Sequence, residues 1–197
     1  ILAPQLAHLT RKHPHLSIDL LALPRMLHLS RREADIVISL ERPKRGSVIV
    51  SRLSDYALYL YGQREYLARK PLVSCREDLR HHAFVSYVDD LLFTKELQFL
   101  DALHQPERFA FRSTSITAQY EAVRAGAGLA VLPAFLADRD PVLTRVLPQE
   151  GQFTRTFWMS MPSESKHLAR MQVTWAFLRE TAAASKPLLL PGLTPRP

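Results

Sequence analysis

Two of the six glycines in this chain stand one residue apart, in "AVRAGAGLAVLP" (122–133), between a helical stretch and a short apolar strand. Their order limits the possible folds. A dinucleotide fingerprint needs strand, then glycines, then helix, so that a phosphate meets a helix N-terminus. Here helix comes first. Ile116, Tyr120 and Val123 share one helical face, and Gly126 falls where a left-handed C-terminal cap belongs. Gly128 then lets the backbone turn closely before residues 129–132 enter a sheet. The pair reads as a helix-to-strand turn, and Pro133 closes the strand because it cannot donate to a ladder.

The rest of the chain repeats this helix-and-strand rhythm. Residues 2–13 read as a helix with Leu2, Leu6 and Leu9 on one stripe and Pro14 as its stop. Strands are expected at 16–23 and 34–40 with a short helical turn near 26–32, the alternation of a parallel sheet. "ERPKRGS" is a loop, and "VIVSRLSDYALYLYG" reads as two extended segments flanking Ser54 and Asp55, with a break at Gly62. The rhythm then restarts. Helices are expected at "QREYLARK" and "CREDLRHH", strands at 83–88 and 108–113, and a helix from Ser113–Ser115, which offer N-cap hydroxyls, to Ala125. A strand near 143–147, the extended "FTRTFWMSM" and a helix over about 165–182 complete the series; Leu168, Met171, Trp175 and Leu178 mark its buried stripe. The proline-rich end, 186–197, reads as a loose tail. Two half-length α/β passes predict two lobes.

"LLFTKELQFLDALH" (91–104) is apolar nearly all round and reads as one helix. Phe93, Leu97 and Leu100 form one stripe, and Leu92, Phe99 and Leu103 a second, displaced around the axis. One stripe suffices for the lobe's own sheet. The other is expected to meet a second copy of the chain, since contiguous exposed apolar surface marks a partner site.

Charge and cysteine usage narrow the function classes. The 26 Lys and Arg exceed the 19 Asp and Glu, giving a net charge of +7, but they are spread along the chain. No aromatic-interleaved or groove-reading motif accompanies them, so a solvated basic surface is the better reading than a DNA-reading one. No apolar run approaches the roughly 20 residues of a membrane span, so no membrane partner is expected. Cys75 is the only cysteine, which excludes an internal disulfide and suits a reducing cytoplasm. As a nucleophile beside His81 or His82 it lacks a visible orienting third group. His8, His13 and His15 fit no zinc spacing and have no carboxylate or thiolate companion. No enzyme activity, cofactor or metal is expected.

"YEAVRAGAGLAVLPAFL" closely resembles a signature of the effector-binding domain of LysR-type transcriptional regulators. "LTRKHPHLSIDLL", "READIVISL", "SRLSDYALYLYGQREYLARKP", "EDLRHHAFVSY", "FRSTS" and "VTWAFLRE" follow that family's order, so the resemblance reaches about residue 182. It implies an α/β fold of two Rossmann-like lobes, the type II periplasmic-binding-protein fold, joined by two crossover strands. Lobe I is expected at 1–61 and 158–185, and lobe II at 62–157. The family's winged helix-turn-helix, linker helix and first strand of lobe I lie outside this sequence, so a piece of a longer protein is expected.

The resemblance also implies a small-molecule effector in a cleft at the C-terminal ends of strands, where open α/β sheets bind ligands. By position its contacts are Pro24 and Arg25, Ser39 and Glu41, Tyr87 and Asp89, and the hydroxyls of Ser113, Thr114 and Ser115 with Gln119 one turn on. Leu132 and Phe135 are expected as wall. Free amides at a helix N-terminus favour an anion, so a small organic anion is the expected effector. The resemblance further implies a homodimer, with a tetramer plausible for the full-length protein. Leu92, Phe99 and Leu103 of one copy would meet Leu2, Leu6 and Leu9 of the other. Promoter DNA would be reached only through the N-terminal domain. The competing reading is a solute-binding protein of a transport system, which shares the fold.

Overall fold

The computed structural model describes residues 1–23 and 33–191. Its regular elements are, in order, α1 (Leu2–Lys12), β1 (Val37–Ser39), β2 (Val48–Gln63), α2 (Arg64–Ala68), β3 (Phe84–Ser86), β4 (Phe109–Arg112), α3 (Ile116–Arg124), β5 (Ala130–Pro133), α4 (Ala134–Ala137), β6 (Leu143–Val146), β7 (Gln152–Pro162), α5 (Ala169–Ala184) and α6 (Lys186–Leu189). The chain divides into two units. Unit 1 holds Ile1–Ser54 and Thr156–Lys186; unit 2 holds Asp55–Arg155 and, of the described residues, 187–191. β2 passes from the first unit to the second after Ser54, and β7 passes back after Arg155. These are the two crossover strands of the type II periplasmic-binding-protein fold. Against an expected limit at 61, the first segment ends at 54, because residues 58–61 pair with β5 of unit 2.

In unit 1, α1 stops where Pro14 was expected to stop it, and Leu6 and Leu9 point inward. Leu6 meets Met159 and Leu178, with Leu2, Ile18, Ile38 and Trp175 packed around them. Burying each such leucine contributes roughly 1.5–3 kcal/mol, which holds α1 to its own unit. β1 pairs antiparallel with β7, from Val37↔Ser160 to Ser39↔Trp158. The parallel rhythm expected here does not appear among the described residues. Residues 16–23 join no ladder, and Leu20, Leu21 and Leu23 are exposed. The turn expected at 26–32 lies outside the described residues. In α5, Met171 and Leu178 are buried as the spacing predicted, while Leu168 precedes the helix and is exposed.

Unit 2 is built on the second half of β2, which is one continuous strand through Ser54, Asp55 and Gly62. β5 and β6 both pair antiparallel with it, and β3 lies parallel to β4. A parallel bridge from Phe84 to Leu129 links β3 to the chain entering β5. The core gathers Tyr59, Tyr61, Val85, Val123, Ala130, Leu132 and Leu143. Its polar edge is satisfied. The Tyr61 hydroxyl donates to Asp138 Oδ1 at 2.6 Å, and Arg145 Nε donates to the same oxygen at 2.9 Å. The Arg145 guanidinium also lies 3.6 Å over the Tyr59 ring. The end of the chain is not loose as far as it is described: Leu189 is buried, Leu190 packs on this core, and the Tyr59 hydroxyl donates to the Pro191 carbonyl.

The glycine turn is as the sequence predicts. Gly126 has φ +81°, its amide donates to the Val123 carbonyl at 2.9 Å, and the Ala127 amide donates to Ala122 at 3.0 Å. These are the two bonds of a Schellman cap. A Cβ at Gly126 would lie 2.6 Å from Gln63 Oε1, the far end of a flexible side chain that can move. Gly126→Ala is therefore expected to cost only about 1 kcal/mol, the strain of a left-handed alanine, as read by urea denaturation.

Residues 91–104 do not form the expected helix. Three short 3-10 turns stand there instead, Asp89–Leu91, Lys95–Leu97 and Leu100–Ala102. Thr94 interrupts the run. Its backbone is extended and its hydroxyl accepts from the Glu96 amide at 3.1 Å, so it starts a new turn instead of continuing the previous one. Phe99 and Leu103 are 4% and 5% exposed, so they serve unit 2 itself and are not a free stripe. The Phe99 ring packs on Phe153, and the Arg155 guanidinium lies over it. Leu6 and Leu9 are likewise consumed by unit 1.

Candidate functional site

Unit 2 assembles its polar surface at the C-terminal ends of β3 and β4. The Ser113 amide donates to the Ser86 carbonyl at 3.0 Å, which ties the two strand ends together just before α3. The Ser113 hydroxyl accepts from the Ser115 amide at 3.1 Å, and the Ser115 hydroxyl accepts from the Ala118 amide at 3.3 Å. Ser115 is thus the N-cap of α3. Each hydroxyl still has its own proton to donate. Thr114 is partly exposed, and its side chain has no hydrogen-bond partner among the described residues. The amides of Ile116 and Thr117 also meet no acceptor there. One hydroxyl and two amides at the positive end of a nine-residue helix remain open to an anion.

Gln119, expected beside the hydroxyls as an effector contact, reaches their loop from the buried side. It is 1% exposed, and its Nε2 donates to the Ser113 carbonyl at 2.8 Å. Its role is to hold the loop that presents the hydroxyls. Leu132 cannot be a wall residue, because it is fully buried in the core of unit 2, and Phe135 is half-buried against Tyr56.

Tyr87 and Asp89 come together in a cavity of about 270 Å³ beside the end of β3, lined also by Ser86, Leu92, Phe99 and Phe109. Burial pushes the Tyr87 hydroxyl up to about 12, so at neutral pH it carries its proton. Asp89 faces Arg112 at 3.5 Å, and that guanidinium lies 3.8 Å over the Phe109 ring. Arg112 was not singled out in the sequence. It stands immediately before Ser113 at a strand end, but so diffuse a basic composition gave no reason to choose it.

In unit 1, the Ser39 hydroxyl donates to the Glu41 carbonyl at 2.8 Å. Pro24 and Arg25 lie outside the described residues.

The alternative chemistries find little support. Cys75 is exposed, and hydrogen bonds to Glu77 and Asp78 hold its thiol above the usual range, the reverse of an activated nucleophile. His82 is buried, with Nε2 3.1 Å from the Pro71 carbonyl, and desolvation holds its imidazole below the usual range. Among the described residues no group of three or more His, Cys, Asp or Glu is placed to hold a metal ion, and no helix is long and apolar enough to cross a membrane.

The profile of the LysR substrate binding domain matches residues 1–183. The chain belongs to that family. LysR substrate-binding domains are the effector-binding domains of LysR-type transcriptional regulators. This one is 30% identical over 136 residues to the Mau operon transcriptional activator of Paracoccus denitrificans, covering 69% of this chain and 44% of that protein. It is 23% identical over 159 residues to an uncharacterized HTH-type transcriptional regulator of Haemophilus influenzae, covering 77% and 54%. The LysR domain described here therefore spans about half the length of these curated relatives. Among solved structures, the regulatory domain of CrgA, a LysR-type transcriptional regulator from Neisseria meningitidis, superposes with a TM-score of 0.77 at 22% identity, covering 92% of each chain. That likeness shows the fold. The solute-binding reading is not favoured, since both curated relatives are transcriptional regulators.

Proposed function

We propose that this LysR domain senses a small organic anion at the N-terminus of α3 and passes the change to a winged helix-turn-helix elsewhere in the protein, which contacts promoter DNA. The observation that carries the ligand class is the Thr114 hydroxyl beside the Ile116 and Thr117 amides, none of which has a partner among the described residues. Ser113 and Ser115 support it by fixing the loop, and their hydroxyl protons add two further donors. An effector acts by differential affinity: binding one arrangement of the domain a few kcal/mol better than another shifts the population accordingly. No catalytic step is part of this reading. The functional unit is a homodimer working without a cofactor, and the large apolar residues of the 91–104 segment that keep exposed surface for it are Leu91, Leu92, Phe93 and Leu100; Leu91 is 60% exposed.

Thr114→Val tests the ligand site most cleanly, because that side chain has no structural bond to lose. Calorimetry with a panel of mono- and dicarboxylates is expected to identify a binder, and the variant to weaken it by about 1–2 kcal/mol with unchanged stability. Ser115→Ala would weaken the same binder but also remove a helix cap, itself worth about 1 kcal/mol. Identical affinities for Thr114→Val and the parent protein would refute the assignment.

A further inference from the structure

Among the described residues the chain passes between the two units three times. β2 crosses after Ser54 and β7 returns after Arg155; a third passage follows Lys186, where the chain leaves α5 of unit 1 and residues 187–191 join unit 2. β2 and β7 are neighbours in one sheet, and two neighbouring strands bend and twist together as a single hinge. The third passage runs through α6 and is no part of that ribbon. The LysR profile ends at residue 183, so the segment that makes this passage lies beyond the family match.

Both ends of the segment are fixed. In unit 1, α5 is anchored by Met171 and Leu178, and the Ser185 amide donates to the Thr181 carbonyl at 2.9 Å. In unit 2, Leu189 is buried, Leu190 packs on the core, and the Pro191 carbonyl accepts from the Tyr59 hydroxyl at 3.3 Å. Tyr59 is itself buried, with the Arg145 guanidinium over its ring. It stands five residues past the β2 passage, about 17 Å along the strand. The segment therefore takes hold well away from the hinge.

Length decides what such a link allows. From Lys186 to Leu189 the helical turn spans roughly 4.5 Å, and fully extended it spans at most about 11 Å. Unwinding it releases only about 6 Å. We propose that residues 186–191 are a strap that limits how far the two units move relative to each other. Movement beyond that slack has to pull Leu189 out of its core first. An effector selects among arrangements of the domain, and the strap narrows the set from which it selects. This holds for an effector of any chemistry and does not rest on the ligand class proposed above.

Lengthening the link separates a strap from a segment that only completes the core of unit 2. A nitroxide on the exposed Cys75 reports unit 2, and a second on Glu180→Cys, at an exposed position of α5, reports unit 1. Pulsed electron spin resonance on the doubly labelled protein, diluted with unlabelled protein, reads the distribution of distances between them. Inserting Gly-Ser-Gly-Ser between Lys186 and Pro187 adds up to about 14 Å of reach and leaves Leu189, Leu190 and Tyr59 unaltered. The distribution is expected to become about twofold wider. A control pair within unit 2, Cys75 with Glu121→Cys, should keep its width. If the insertion does not fold, a stop codon in place of Pro187 removes the link and should widen the first distribution at least as much. An unchanged width overturns the proposal, as does a parent distribution already as wide as the variant's. Equal widening of the control pair overturns it too, because unit 2 itself would then have loosened.

Discussion

Gly128→Ala is expected to destabilise unit 2 by about 3–5 kcal/mol, several times the cost of the same change two residues earlier. The difference lies in what the added methyl meets. At Gly126 it meets the tip of a glutamine, which can rotate away. At Gly128 it would stand 2.3 Å from the Ala83 carbonyl oxygen and 2.7 Å from its carbon, and neither can move alone. The Leu129 amide donates to that same oxygen at 2.9 Å, and the Val85 amide donates to the Leu129 carbonyl at 2.8 Å. Displacing the chain at 128 strains both bonds and opens the join between β3 and β5. Thermal unfolding should show a drop on the order of 10 °C for a chain of this size. A change within about 1 kcal/mol of the parent would mean that the two segments are not held as closely as described.

Phe99→Ala is the second large effect, and it separates two roles for the 91–104 segment. If Phe99 is core, truncation removes a buried ring that packs on Phe153 at 5.5 Å and supports Arg155 at 5.2 Å. The expected cost is about 3–5 kcal/mol at every protein concentration. If instead the ring served a contact between copies, the loss would shrink on dilution, because association adds stability only by mass action. Urea midpoints at two concentrations a hundredfold apart distinguish these. The burial of Phe99 predicts parallel shifts, and a loss confined to the higher concentration would restore the interface role.

The glycine turn and the 91–104 segment also show what the sequence could and could not convey. The helix cap at Gly126 was legible because a local rule covers it: a helical stripe, then glycine, then an apolar strand. The start of α3 was legible for the same reason, through the hydroxyls of Ser113 and Ser115. The 91–104 segment was not. Apolar residues at spacings of three and four fit a helix, but equally fit consecutive short turns buried on several sides, and only the Thr94 cap decides between them. Leu132 was misjudged because a continuous apolar run does not reveal which of its faces looks toward a surface. Ser54 and Asp55 suggested a break in β2, since polar pairs usually mark turns. Here the strand continues through them and changes unit. Within the site, the hydroxyl cluster could be read from residue type, whereas the inward amide of Gln119 and the pairing of Arg112 with Asp89 depend on tertiary neighbours.

The passage of β2 and β7 between the units has a consequence for synthesis. Residues 55–155 emerge from the ribosome as one uninterrupted stretch, so the sheet and helices of unit 2 can assemble while the chain is still growing. Unit 1 has to wait. Its first segment, α1 and β1 included, finds β7 and α5 only about a hundred residues later, and closing so long a loop carries an entropy that contacts must offset before they stabilise anything. During that interval Leu6 and Leu9 have no core to enter. Completion is then nearly simultaneous for both units, because the stretch that delivers α5 is followed at once by residues 187–191, which finish the packing on Tyr59. The nascent chain thus carries the amphipathic helix α1 without its packing partners while about the next hundred residues are made, and that helix is the natural place for a chaperone to act.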